Sequence, residues 1–280
     1  MIDPRRLAAL LAAAVVSGVS AVSCGSKSSD KETFPEMTVT FLDVGKADSM
    51  IIRTPQSTVI IDCGEKGDGK EIVSLLEDEG VTTVDYLIIT HYDKDHVGGA
   101  SKVIKNLDVK NVLAPDYEEI SEEMDKYHKA LAEKNITPQL LTSDLSFELD
   151  SADYTVFAPE KDYYGEDNDN DFSLVTKVKY HDITFLYTGD AMEQRLEEIM
   201  DVGHCDLLKV PYHGRKLDNL NDFLDAVTPA CAVVCTSAEE FASKTQNALS
   251  EMNIPTYSTC YNGRITAVSN GRDLNVTSEK

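Results

Sequence analysis

The sequence predicts an α/β (α+β) domain in which two β-sheets pack face to face with helices outside. Three observations predict it. Short apolar, β-branched-rich segments fall into two groups along the chain, and each group is followed by segments whose apolar residues recur at helical spacing. The 257 residues from Cys24 to Lys280 are many for one domain but ordinary for a two-sheet enzyme fold.

At the N-terminus, Arg5-Arg6 precede an apolar run from Leu7 to Val22, the charged-then-apolar layout of an export signal. The run is short and poorly flanked for a spanning helix. Ala21-Val22-Ser23-Cys24 has the small residues before cysteine of a bacterial lipobox, which makes residues 1–23 a lipoprotein-type signal peptide and Cys24 the candidate lipidation site. An ordinary cleaved signal or an uncleaved anchor is the alternative. Residues 24–36 are polar and Ser-rich, as suits a flexible tether, and leave 37–280 as the folded domain. The expected protein is exported and held by lipid on the membrane, facing outside the cytoplasm.

Within the domain, Val39 and Phe41 alternate with Thr38 and Thr40, and Met50-Ile51-Ile52 and Val59-Ile60-Ile61 follow at short intervals, as in an antiparallel meander. Ile72, Leu75 and Leu76 share one helical face, and Val84 to Ile89 reads as a buried strand. Tyr117 to Lys134 predicts a long helix with Ile120, Met124, Tyr127 and Leu131 as its buried stripe. Later strands are predicted at Tyr154–Ala158, Leu174–Tyr180, Ile183–Thr188, Leu207–Val210 and Ala232–Cys235. Ile265–Val268 and Leu274–Val276 flank Ser269-Asn270-Gly271, a good hairpin turn. With Cys24 assigned to lipid, Cys63, Cys205, Cys231, Cys235 and Cys260 are expected as small buried residues, one disulfide among them remaining open.

The stretch that carries chemistry is Thr90 to Gly99, THYDKDHVGG, which sets His91, Asp93, Asp95 and His96 on a strand-to-helix loop. Imidazole and carboxylate bind Zn, Mn and Fe, and neighbours on a tight turn can serve two centres a few ångströms apart. The plainer reading is a polar turn that caps a helix. Asp190 follows a predicted strand and precedes a helix, so it is either an N-cap or a ligand. His213 ends the segment Val210-Pro211-Tyr212-His213-Gly214. Lys209, Arg215 and Lys216 flank it and form the nearest positive cluster, read as a clamp on a substrate phosphate or, for Arg215 and Lys216, as solvated surface. Asp95 and Lys209 are the catalytic candidates, with Asp95 placed to orient an attacking water.

The loop resembles the H-x-H-x-D-H signature of the metallo-β-lactamase superfamily, with Asp93 where the second His usually stands. More closely, it resembles the hydrolase domain of ComEC-type DNA-uptake proteins, T-H-x-D-x-D-H-x-G-G. Further blocks agree in order: Phe41-Leu42-Asp43-Val44-Gly45 with Asp48, Ile61-Asp62-Cys63-Gly64, Ser173-Leu174-Val175, Thr188-Gly189-Asp190, and Leu208 to Gly214. The resemblance implies an αββα sandwich of two mixed sheets and one or two divalent ions, Mn or Zn. It also implies metal ligation by His91, Asp93, Asp95, His96, Asp190 as the bridging carboxylate, and His213. One departure stands out, because the superfamily often supplies another His before the bridging Asp and none clearly fills that place. The run Asp167-Asn168-Asp169-Asn170-Asp171 occupies the region and could donate an oxygen or be a plain polar loop.

A formal net charge of −23 argues against extended non-specific nucleic-acid binding, although bound divalent cations reverse the field locally. The expected function is hydrolysis of phosphodiesters by a metal-activated water, with extracellular DNA among the candidate substrates. Another ester, such as a cell-wall phosphodiester, or a β-lactam is the alternative substrate. A non-catalytic surface lipoprotein on the same fold is the alternative class.

Overall fold

The computed structural model describes residues 34–165 and 168–280. The export signal, Cys24 and most of the tether lie outside these residues, as does Asp167.

The meander forms as the alternation predicts. β1 (Met37–Phe41), β2 (Met50–Arg53) and β3 (Thr58–Ile61) pair antiparallel in sequence. The chain then crosses through α1 (Gly69–Asp78) to β4 (Thr83–Ile88), and through α2 (Lys94–Val97) and α3 (Ala100–Asn106) to β5 (Asp108–Pro115). It reaches β6 (Gln139–Leu141) through α4 (Glu122–Lys134), and β3 to β6 are parallel. A second sheet starts antiparallel with β7 (Leu145–Leu149), β8 (Ala152–Phe157), β9 (Val175–Tyr180) and β10 (Ile183–Tyr187). It continues in parallel through α5 (Glu193–Glu198), β11 (Leu207–Lys209), α6 (Leu220–Val227), β12 (Cys231–Val234), α7 (Ser243–Glu251) and β13 (Thr256–Ser258). After α8 (Thr259–Asn262), the hairpin β14 (Ile265–Ser269) and β15 (Leu274–Ser278) returns to the first sheet beside β1.

The strand orders are β15-β14-β1-β2-β3-β4-β5-β6 and β13-β12-β11-β10-β9-β8-β7. Three buried apolar layers account for the stacking. Val39, Phe41, Ile52 and Ile61 of one sheet meet Tyr154, Val178, Phe185 and Val233 of the other. Ile72, Val103 and Leu131 close the outer face of the first sheet, while Leu196, Phe223 and Leu249 close that of the second. Each sheet therefore excludes water on both faces, which is the αββα arrangement the resemblance implies.

Several expectations change. The helix predicted from Tyr117 begins only at Glu122, because Ser121 caps it by accepting the Met124 N–H at 3.2 Å. Ile120 consequently lies outside the helix and is 96% exposed instead of buried. The hairpin turn forms, but Asn270 Oδ1 carries it by accepting the N–H groups of Arg272 and Asp273 at 3.0 and 2.8 Å, with Gly271 at φ 83°. Cys63, Cys205 and Cys235 are buried, Cys231 and Cys260 partly so, and all five are free thiols. Among the described residues no helix is long and apolar enough to cross a membrane.

Candidate metal centre

The site sits at the carboxyl ends of the parallel strands, where an α/β sheet opens toward a ligand. Asp62 follows β3, the His91–His96 loop follows β4, Asp190 follows β10, and His213 follows β11. Asp62, Tyr212 and His213 hold left-handed backbone at φ 58°, 50° and 51°, a conformation uncommon outside glycine that concentrates at functional sites.

Each imidazole is oriented by a hydrogen bond at Nδ1. His96 Nδ1 donates to Asp62 Oδ2 at 2.8 Å. His213 Nδ1 donates to the Cys235 carbonyl at 3.1 Å. His91 Nδ1 lies 3.1 Å from Thr90 Oγ1, which itself donates to Asp62 Oδ2 at 2.7 Å. A neutral ring with its proton on Nδ1 turns a lone pair outward at Nε2. The Nε2 atoms of His96 and His213 are 3.4 Å apart and lie 3.5 and 2.8 Å from Asp190 Oδ2. His91 Nε2 is buried with no hydrogen-bond partner among the described residues. Asp95 Oδ2 reaches within 3.8 Å of His213 Nε2.

Lone pairs facing one another around a buried carboxylate repel unless a cation lies among them. The electrostatics agree. Burial opposes charge on His213, yet the carboxylates of Asp190 and Asp48 push it up to about 9. Burial likewise opposes the Asp190 anion, and His213 and His96 nevertheless hold it well below the usual carboxylate range. A pocket that favours a proton so strongly favours a metal ion as well. His91, His96 and Asp190 form one group of ligand atoms within 4.8 Å of one another, and Asp95, His96 and His213 form another. The donor set therefore fits a divalent metal.

The structure thus brings together His91, Asp95, His96, Asp190 and His213. The alternative of Asp190 as a helix cap does not hold, since the residue preceding α5 is Met192 and the Asp190 carboxylate turns into the histidines. Asp93 is more peripheral: its carboxylate is 47% exposed at the cleft edge, 3.7 Å from His91 Nε2.

Two of the expected phosphate-clamp residues are placed elsewhere. Lys209 is fully buried, ion-paired with Asp48, 3.6 Å from Asp190 Oδ1, and donates to the Gly189 carbonyl at 2.9 Å. The short strand β11 is covered on both faces, so its lysine has no route to substrate and must find partners inside. Lys216 stands at the surface, paired with Asp218 at 3.0 Å. Arg215 does line the cleft, 4.9 Å over the Tyr212 ring and paired with Glu240.

Sequence reasoning assigned no role to Lys46, Asp48 or Asp62. Lys46 lines the same cleft of about 350 Å3 and binds Asp95 at 2.9 Å. Asp48 neutralises Lys209, and Asp62 aims His96 directly and His91 through Thr90, the supporting contacts that metal ligands depend on. Asp48 and Asp62 stood inside the ordered blocks, but nothing local to either showed a purpose.

The run before Ser173 is only partly committed elsewhere. Asp171 Oδ1 accepts the N–H groups of Met192 and Arg195 at 2.7 and 3.2 Å, so it serves α5. Asn170 Nδ2 leans on Met192 Sδ at 3.6 Å, while its Oδ1 is buried without a partner among the described residues and its side chain lines the cleft.

The chain is similar to several known proteins. ComE operon protein 3 of Bacillus subtilis is 26% identical over 218 residues, covering 70% of this chain and 28% of that protein. Recombination protein 2 of Haemophilus influenzae and competence protein ComA of Neisseria gonorrhoeae are each 26% identical over 71% of this chain, covering 24% and 27% of their own lengths. The chain thus spans about a quarter of the relatives it matches. The metallo-beta-lactamase fold protein YhfI from Bacillus subtilis aligns with a TM-score of 0.55 at 11% identity over 86% of this chain and 99% of that one. A putative metal-dependent hydrolase from Parabacteroides distasonis aligns at 0.53 and 11% identity, over 81% and 96%. At these identities the two structures speak for the fold alone. The family model described as metallo-beta-lactamase superfamily matches residues 42–238, most of the folded domain, and the chain belongs to that superfamily.

Proposed function

We propose that the domain is a metal-dependent hydrolase of phosphodiesters, exported and anchored through Cys24 to the cell membrane, facing outside the cytoplasm. The observation that carries this reading is the convergence of histidine Nε2 atoms on buried Asp190, in a cleft that also presents Lys46 and Arg215. When bound, a divalent ion supplies Lewis acidity and lowers the pKa of water toward neutrality. His91, Asp95, His96, Asp190 and His213 would hold it, with Asp93 at the edge. Asp95, shared between Lys46 and the His213 side of the site, orients the attacking water and accepts its hydrogen bond. Lys46 and Arg215 offset the charge of a phosphoryl oxygen, and Arg215 is stiffened for that task by Tyr212 and Glu240. The names of the curated relatives, which refer to competence and recombination, support DNA among the candidate substrates, while the acidic surface weighs against long polyanions.

Metal analysis combined with turnover of bis-p-nitrophenyl phosphate tests this reading. Metal uptake with turnover is expected; a protein that takes up no metal and turns nothing over is instead a binding lipoprotein on the same fold.

Three predictions refine the proposal. Oxygen donors shift preference away from Zn, so metal-stripped protein should regain more activity with Mn than with Zn, and Asp93→His should narrow the difference. Full restoration by Zn alone, with a ratio unmoved by the substitution, removes Asp93 from the ligand set. Asn170→Ala should weaken uptake of Mn at one site by about tenfold or more, read by calorimetry, if its orphaned Oδ1 in the cleft lining serves as the oxygen donor in place of the absent histidine. An unchanged isotherm assigns Asn170 to the loop alone. Finally, Cys24→Ser should move the protein from the membrane fraction to the medium or to an uncleaved precursor. Unchanged fractionation, with no lipid on the mature N-terminus by mass spectrometry, rejects the anchor.

A further inference from the structure

A second hollow of about 610 Å3 adjoins the metal cleft, and Tyr92 and Glu119 line both. Its wall joins three tyrosines, Tyr92, Tyr117 and Tyr127, to three carboxylates, Asp116, Glu118 and Glu119. Among the described residues no lysine or arginine lines it, and His128 is its one imidazole. The rim is apolar: Ile120 is 96% exposed and Leu140 47%, two of the few large apolar side chains left in water among the described residues. Tyr127 is 1% exposed, and its hydroxyl has no hydrogen-bond partner among the described residues.

This chemistry selects a ligand. Carboxylates without a paired cation repel anions, which disfavours a nucleic-acid strand in the hollow. Their oxygens do not converge as a metal site does, since the groups of ligand atoms within 4.8 Å that the described residues form all belong to the metal centre. The tyrosine rings pack on one another and on Phe172, so they form a firm wall, and the apolar rim and dispersed negative charge above it complement a bulky organic cation, whose alkyl surface takes the apolar contacts while its charge meets the carboxylates. The shared lining of Tyr92 and Glu119 puts that cation beside the phosphoryl group bound in the cleft.

We propose that the hollow is a substrate subsite that receives an alkylammonium group carried on the alcohol of the phosphoester. The assignment rests on the phosphodiesterase reading of the neighbouring cleft and narrows it: the substrate is a zwitterionic phosphoester, not a nucleic acid.

The test compares phosphocholine with its uncharged isostere 3,3-dimethylbutyl phosphate by calorimetry on the Mn-loaded protein. Phosphocholine should bind roughly tenfold more tightly, the preference of unpaired carboxylates for a cation over its uncharged isostere. Asp116→Asn with Glu118→Gln, two exposed positions whose substitution the fold tolerates, should bring the ratio close to one. Equal affinity for both probes in the wild type, or a ratio that survives the double substitution, overturns the proposal. Tetramethylammonium titrated into metal-stripped protein by NMR separates the two readings. Shifts at Tyr92 and Tyr117 that vanish in the double variant support the subsite even if the metal reading fails, whereas metal uptake without such shifts overturns the subsite alone. Glycerophosphocholine and phosphatidylcholine vesicles distinguish the sources of the group. Competition by the first places it on a soluble or polymer-borne ester, competition by vesicles alone places it on a lipid headgroup, and competition by neither overturns the proposal, as does competition by single-stranded DNA alone.

Discussion

Asp190→Ala is expected to abolish metal uptake and to lower phosphodiester turnover on the order of 10³-fold, several kcal/mol of transition-state stabilisation. The carboxylate is the common neighbour of His96 Nε2, His213 Nε2 and Lys209 Nζ, at 3.5, 2.8 and 3.6 Å, whereas Asp48 meets the same two histidines only at Nδ1, on the side away from the lone pairs. The fold should survive. Lys209 keeps Asp48, and the cap position of α5 belongs to Met192, so neither a buried unpaired charge nor a frayed helix follows. Elemental analysis, circular dichroism and a turnover assay on one preparation check this. A variant with full metal content and unimpaired turnover would remove Asp190 from the centre.

Lys209→Met should instead act on stability, costing about 3 to 5 kcal/mol, the scale of a buried ion pair broken from one side. Lys209 and Asp48 are both inaccessible, and burial alone would strip each of its charge. The Asp48 and Asp190 carboxylates lift the lysine far above its ordinary range despite that burial, and the lysine in turn holds Asp48 below the usual carboxylate range. Without the ammonium, two carboxylates are left in an apolar interior beside the histidines. Urea denaturation should show a lower midpoint with an unchanged slope. The result also decides between the two placements of this residue. A clamp on substrate would raise KM and leave the midpoint alone, whereas the buried ion pair moves the midpoint even in the absence of substrate.

The local features were readable from the chain itself. His91, Asp95 and His96 fall within six residues on one strand-to-helix loop, so their proximity needs no tertiary information. The meander of β1 to β3 and the β14–β15 hairpin were equally legible, because alternation and turn chemistry act over a few residues. Asp190 and His213 were nominated only because they stand in ordered blocks; each taken alone reads as a cap or a lone histidine. The start of α4 was misread since periodicity carries through Ile120, and the Ser121 cap, one hydrogen bond, decides where the helix begins.

Tertiary structure alone decided what the charges do. Lys209 lies four residues from His213 in sequence and was therefore read as a clamp, yet its strand is covered on both faces and its partner Asp48 comes from the β1–β2 loop of the opposite sheet. Lys46 reaches Asp95 across 49 positions, and Asp62 reaches His96 across 34. Spacing reports a site where neighbours in sequence are neighbours in space. Pairing charges across two sheets depends on which faces exclude water, and only the packed sandwich fixes that.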